Sequence, residues 1–157
     1  MSVPDVEEFK DVSSHFATGI AVVSASSPDG LAGFTCQTFG SLSLEPMLIS
    51  FSASASSTSW PRVRRATTVG VNILEARQEA LARRFAVSGL DKFADVPWSP
   101  APNGAPLIDG ALAHLEGRVL NVAVYGDHEL VVVAVDFVQR HEGRPLVYYR
   151  GGYGVLA

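Results

Sequence analysis

The stretch from Gly19 to Phe51 constrains this chain of 157 residues more than any other. Two apolar runs with β-type composition, Gly19–Ala25 and Leu31–Thr38, flank Ser27-Pro28-Asp29-Gly30. Pro presets φ, Asp bonds its own backbone and Gly accepts positive φ, so the four residues between the runs spell a hairpin turn. The second run continues through Thr35, Gln37, Thr38, Ser41 and Ser43 to Glu45-Pro46, and a further strand follows over Met47–Ser52. Hydroxyls and an amide interleaved with apolar residues place hydrogen-bonding groups beside a hydrophobic wall. Such a wall suits a flat ligand that is apolar in the middle and polar at its edges.

Length points to one domain over residues 1–157, large enough to bury a core. Hydrophobic residues make up 47% of the chain and charged residues only 18%, a surplus that points to a buried interface between copies. The net charge of −4 and the lack of a basic block give nucleic acid or an anionic membrane little to bind. One cysteine excludes an intrachain disulfide and a Cys-cluster metal site. No apolar run reaches the roughly 20 residues of a membrane helix. Asp5, Glu7 and Glu8 stand where a signal peptide would be basic, so the expected location is the cytoplasm.

Along the chain, Val6, Phe9, Val12 and Phe16 form an apolar stripe at helical spacing over residues 4–17, with His15 off the stripe at the surface. Seven hydroxyls crowd into residues 50–59, ahead of a short helix from Trp60 that Ser57, Thr58 or Ser59 could cap. This segment is either a flexible Ser-rich loop or a phosphate site that combines helix N–H groups, hydroxyls and Arg62, Arg64 or Arg65. Thr67–Leu74 reads as a strand, Ala76–Val87 as a helix and 96–106 as an irregular loop. Two strands follow, Leu112–Tyr125 and a fully buried Glu129–Val138, joined by a turn at Gly126-Asp127-His128. Pro145–Tyr149 is the last strand. Long antiparallel strands with three short helices predict a closed or nearly closed β-barrel.

Three ordered motifs resemble the flavin reductase family, the small reductases that supply reduced flavin to monooxygenases. They are the run Gly33–Pro46 after an Asp-Gly turn, then Val71-Asn72-Ile73-Leu74 with the helix to Phe85 and Asp91-Lys92-Phe93, and then Gly126-Asp127-His128. The close Pro145–Tyr148 with Gly151-Gly152-Tyr153 is similar as well, so the resemblance spans roughly residues 9–153.

The resemblance implies a mainly β fold, an antiparallel Greek-key split β-barrel with a few short flanking helices, working as a homodimer. It implies an NAD(P)H:flavin oxidoreductase that passes hydride from NADH or NADPH to FMN or FAD for a partner monooxygenase. In that frame Thr35, Gln37 and Thr38 would bond the ring edge or ribityl chain, and Ser52, Ser57 and Thr58 the phosphate. Phe85 and Phe93 are core residues, ligand contacts or both. Asp127, His128 and Tyr153 would set the nicotinamide site. Hydride transfer calls for positioning rather than a side-chain base, so no catalytic residue and no metal ligand is assigned.

Gln37, Thr38 and Met47 depart from the family's usual Asn, Ser and second Pro. Val133 stands where Gly is common and would add bulk beside the Gly126-Asp127-His128 turn, while Cys36 reads as a small core residue. The competing expectation is a non-enzymatic flavin- or haem-binding split barrel, with His15, His114 or His141 as axial ligand. A split-barrel oxidase of pyridoxine-type substrates comes third, because its phosphate-binding Arg/Lys pattern is not evident.

Overall fold

The computed structural model describes residues 1–89 and 91–157. Helix α1 (Val6–Ser14) precedes β1 (Thr18–Gly19), β2 (Ala21–Ser27), β3 (Gly30–Cys36), β4 (Gly40–Leu44) and β5 (Met47–Ser54). Then come α2 (Trp60–Arg64), β6 (Val69–Ile73), α3 (Glu79–Phe85), β7 (Trp98–Pro100) and β8 (Pro106–Ile108). The chain closes with β9 (Ala113–Tyr125), β10 (His128–Arg140), β11 (Leu146–Tyr149) and β12 (Gly152–Val155).

Seven strands form one antiparallel sheet in the order β3-β2-β6-β9-β10-β5-β4, with β1-β11-β12 as a second sheet. The predicted hairpin is present: Ser27 pairs with Gly30, whose φ of 106° carries the turn. The large sheet curls until the end of β3 meets β5, where the Thr38 hydroxyl accepts the Ser52 N–H at 2.8 Å. Curling comes from the long hairpin β9–β10, whose register shifts at Val132/Val133 and Val135/Phe137 mark bulges that bend the pair. The sheet thus nearly closes on itself, as a split barrel does.

Inside the curl, Phe34, Phe51 and Trp60 meet edge to face with ring centroids 5.9–6.2 Å apart, surrounded by Val23, Val63, Val71 and Val131. A second cluster on the outer face packs α3 through Ala82 and Phe85 against Ile20, Val22, Leu74 and Ile108. Phe85 sits over Gly33, where an added Cβ would lie 3.0 Å from its ring.

Several expectations are corrected. The run after Glu129 is not fully buried: only Val131 and Val133 of β10 are buried, because the strand alternates between core and surface. Val133 is not beside the Gly126-Asp127-His128 turn. It lies five residues along β10, about 17 Å from His128, and its Cγ1 fills the space over Gly117, where a Cβ would come within 2.7 Å of it. The loop at 96–106 contains a two-stranded hairpin, β7 with β8, and β12 was not foreseen. Helix α1 forms with Asp5 and Glu8 in a reciprocal capping box, yet its stripe stays uncovered, with Phe9 65% and Phe16 80% exposed.

One buried amide stitches the two faces of the sheet. Asn72 donates to the Val22 carbonyl and to Ser24 Oγ, both at 2.9 Å, and accepts the Ile108 N–H at 2.7 Å. Ser24 in turn donates to the Pro106 carbonyl at 2.6 Å. Replacement Asn72→Ala strands these buried partners, so denaturant unfolding should show a loss of about 3 kcal/mol.

Candidate functional site

β3 is the outer strand of the large sheet, paired to β2 alone, so one row of its backbone N–H and C=O groups faces away from the ladder. The curl sets that open side against the end of β5, and between them lies a polar cleft of 360 Å³. Its walls are Thr35–Thr38 from β3 and beyond, Ser52–Ser54 from β5, the Ser56–Thr58 loop, Phe85, Lys92 and His128. A second, more apolar depression of 960 Å³ shares Gln37 and Thr38 with it and runs beneath α1, past Phe9, Phe16 and Tyr148.

The structure brings together Thr35, Gln37, Thr38, Ser52, Ser57, Thr58, Phe85 and His128, eight of the residues singled out from sequence. Their hydrogen bonds divide the work differently from expectation. The Thr35 hydroxyl donates to the Ala82 carbonyl at 2.6 Å, which holds α3 against β3 and leaves its oxygen only as an acceptor. The Thr38 hydroxyl is engaged by the Ser52 backbone and lies 3.3 Å from Cys36 Sγ. Gln37 is exposed at the rim where the two depressions meet.

The N-cap position of α2 is Ser59, whose side chain makes no capping bond, and the first helical N–H, that of Trp60, is accepted instead by Ser57 Oγ at 3.0 Å. The arginines of α2 turn away from the cleft. Arg64 pairs with Glu129, Arg65 with Asp29, and Arg62 donates to the Asp29 and Leu31 carbonyls. The cation that does line the cleft is Lys92 of the Asp91-Lys92-Phe93 motif, to which the sequence alone assigns no role.

Lys92 is 8% exposed, and its ammonium donates to the Gly33 carbonyl, Ser59 Oγ and the Phe85 carbonyl at 3.2, 2.9 and 2.9 Å. No carboxylate pairs with it among the described residues. Burial, aided by the nearby Arg62 charge, holds its pKa below the usual lysine value. No sequence signal marked it, because nothing in Asp91-Lys92-Phe93 shows that the lysine is buried.

Three candidates fall outside the cleft. Phe93 is buried edge to face against Phe85 at 5.0 Å, and so supports the Phe85 wall from behind. Tyr153, on β12, meets Tyr148 edge to face with the Arg83 guanidinium 4.8 Å above its ring, because the β1-β11-β12 sheet carries it to the outer face of α3. Asp127 is exposed in the β9–β10 turn, where Gly126 takes a φ of 60°. It holds His128 Nδ1 at 2.8 Å, and this contact keeps its own carboxyl below the usual range. Its carbonyl accepts the Ala55 N–H at 2.9 Å, which ties the turn to the Ser-rich loop. Cys36 is buried, and burial pushes its thiol pKa up, as befits a core residue.

The cleft at the seam of the barrel thus combines hydroxyls, the Phe85 ring, the His128 imidazole and a buried ammonium with no carboxylate partner among the described residues. The model of the flavin reductase like domain matches residues 13–157. The chain is 38% identical to HsaB of Mycobacterium tuberculosis, the reductase subunit of a flavin-dependent monooxygenase, over 95% of this chain and 81% of that protein. It is 35% identical to the FMN reductase (NADH) SmoA of Agrobacterium fabrum, over 93% of this chain and 83% of the relative. The crystal structure of nitrilotriacetate monooxygenase component B from Mycobacterium thermoresistibile superposes with a TM-score of 0.92 at 35% identity, covering 96% of this chain and 86% of that one. The chain belongs to the flavin reductase family.

The seam can be tested directly. Thr38→Val removes the hydroxyl that joins the end of β3 to β5 and leaves the Ser52 N–H without its partner. A loss of about 1 kcal/mol is expected in thermal or denaturant unfolding, with protease sensitivity rising at residues 37–40 and 52–58.

Proposed function

We propose that the protein is an NAD(P)H:flavin oxidoreductase that supplies reduced flavin to a partner monooxygenase in the cytoplasm, working as a homodimer of one domain over residues 1–157. The observation that carries the site assignment is Lys92: a buried ammonium with no carboxylate, at the end of a cleft walled by an open strand edge. The residues fit a flavin. The outward backbone groups of β3 that Arg62 and Lys92 leave unengaged, with Gln37 and the Thr35 oxygen, offer donors and acceptors to a heteroaromatic edge, and Phe85 offers an apolar wall. Ser57, Thr58 and Lys92 surround the place for a phosphate.

A bound flavin supplies the hydride acceptor and a nicotinamide supplies the donor. The chain's own contribution is positional. β3 and β5 fix the ligand's edges, and Lys92 neutralises its phosphate. The Asp127 carboxylate orients the His128 ring, through Nδ1, at the mouth where a second ligand enters. The uncovered stripe of α1 and the apolar depression beneath it are the surface a second copy would cover, and that copy would wall the cleft from outside. Among the described residues no helix is long and apolar enough to cross a membrane. Among them, too, His128 is the only histidine that lines these depressions. His114 is buried against the Ile108 carbonyl, and neither it nor His15 or His141, the axial ligands of the haem reading, lines either depression.

Anaerobic mixing of the protein with flavin and NADH or NADPH should bleach the visible absorbance of the oxidised flavin at a catalytic rate. His128→Ala should slow that step while flavin affinity is kept. Flavin binding without bleaching by either nicotinamide would leave a carrier rather than a reductase.

The pH dependence follows from Lys92. Its ammonium persists below its lowered pKa, so flavin affinity should be flat there and fall as pH rises through that value. Lys92→Met should bind flavin about tenfold more weakly, through loss of the charge's attraction for the phosphate, since its three N–H groups are already engaged, and show no such fall. Titration of flavin fluorescence against pH for the two proteins checks this.

A further inference from the structure

A third depression, of 520 Å³, opens on the other side of Thr58 and Ser59 from the cleft. The β2–β3 turn bounds it with Asp29, Gly30 and Leu31, α2 with Arg62, and the segment after α3 with Gly89 and Asp91. Thr58 lines both spaces, and Ser59, whose hydroxyl receives the Lys92 ammonium, lines the outer one. Lys92 and Arg62 therefore stand on either side of a two-residue ridge. The Arg62 backbone N–H donates to the Ser59 carbonyl at 3.1 Å, so the ridge and the arginine are one rigid piece.

Arg62 is held in an unusual way for a surface arginine. One terminal nitrogen donates to two backbone carbonyls, Leu31 at 3.0 Å and Asp29 at 3.3 Å, and no carboxylate pairs with it among the described residues. The Asp29 side chain is engaged by Arg65 instead. The fork is thus oriented by neutral groups while its charge remains uncompensated, and its other nitrogens are left for a ligand. A planar guanidinium so fixed is suited to phosphate oxygens.

We propose, resting on the flavin reductase reading, that the flavin this protein prefers is the dinucleotide: the phosphate nearer the ribityl chain lies at Lys92, the second at Arg62, and the adenosine in the 520 Å³ depression. A mononucleotide ends at its single phosphate and needs only the first cation. Two uncompensated cations on opposite sides of a short hydroxyl-bearing ridge match two linked phosphates, and the outer depression provides space that a mononucleotide leaves empty. Arg62 is then a specificity-determining residue and not a catalytic one, since it lies across the ridge from the cleft.

The test is equilibrium binding of FAD and FMN to the oxidised protein without nicotinamide, read by quenching of flavin fluorescence and by calorimetry. The native chain should bind FAD about tenfold or more tightly than FMN, the value of one charge-assisted hydrogen bond. Arg62→Met should erase that preference by weakening FAD alone, and Arg62→Lys, which keeps the charge without the fork, should retain part of it. ADP should compete with FAD, and its competition should weaken in Arg62→Met. FMN affinity serves as the control for folding, because Arg62 also holds the β2–β3 turn. Equal affinity of the native protein for the two flavins overturns the proposal, as does a variant pair in which both flavins weaken together. Failure of the native protein to bind either flavin defeats the reductase reading itself, and this inference with it.

Discussion

The hydroxyl of Thr38, accepting the Ser52 N–H at 2.8 Å, stands where a seven-stranded sheet must either close or remain an open ribbon. In sheet order β3 and β5 are separated by β2, β6, β9 and β10, so nothing in the ladder itself brings them together. Bulges in the β9–β10 hairpin bend the sheet, Gly117 lets Ala134 and Val133 approach without a Cβ in the way, and the Phe34–Phe51–Trp60 cluster fills the space the bend encloses. The closure is incomplete by design of the register. The residual gap, lined by unpaired strand edge on one side and by serines on the other, is the cleft. The same geometry that gives the barrel its core therefore leaves an open cleft at its seam.

Much of this was legible in the chain. Ser27-Pro28-Asp29-Gly30 specified a hairpin through local turn chemistry alone, and it formed where expected. The Thr-bearing strand that follows it, continuing through Gln37 and Thr38, suits one wall of a ligand site by composition, and it lines the cleft opposite β5. What sequence could not apportion was the competition for each hydroxyl. Thr35 and Thr38 look like ligand contacts by composition, but each is within reach of a carbonyl or N–H only the tertiary fold supplies. Tyr153 was placed by its motif and not by its neighbours, and a small separate sheet carries it elsewhere.

The two cations show the same limit from the other direction. Arg62, Arg64 and Arg65 advertise a phosphate site by clustering, yet Glu129 and Asp29, distant in sequence, absorb two of those charges. Lys92 advertises nothing, because burial is not a property of a tripeptide. Its three oxygen neighbours come from β3, the Ser-rich loop and the end of α3. A charge that satisfies its hydrogen bonds on neutral groups retains its field, and that field is what an incoming anion meets.

The placement of the two tryptophans gives the molecule an optical property of its own. Trp60 is 2% exposed, its backbone N–H is bonded to the Ser57 hydroxyl, and its indole N–H is held by Glu129, while Trp98 is 40% exposed on the separate β7–β8 hairpin. One indole thus emits from an apolar interior directly behind the cleft loop, and the other from a wet surface. A water-borne quencher reaches the exposed indole and not the buried one, so the emission divides into a red component that can be quenched and a blue one that persists for as long as the core is closed, with no label attached.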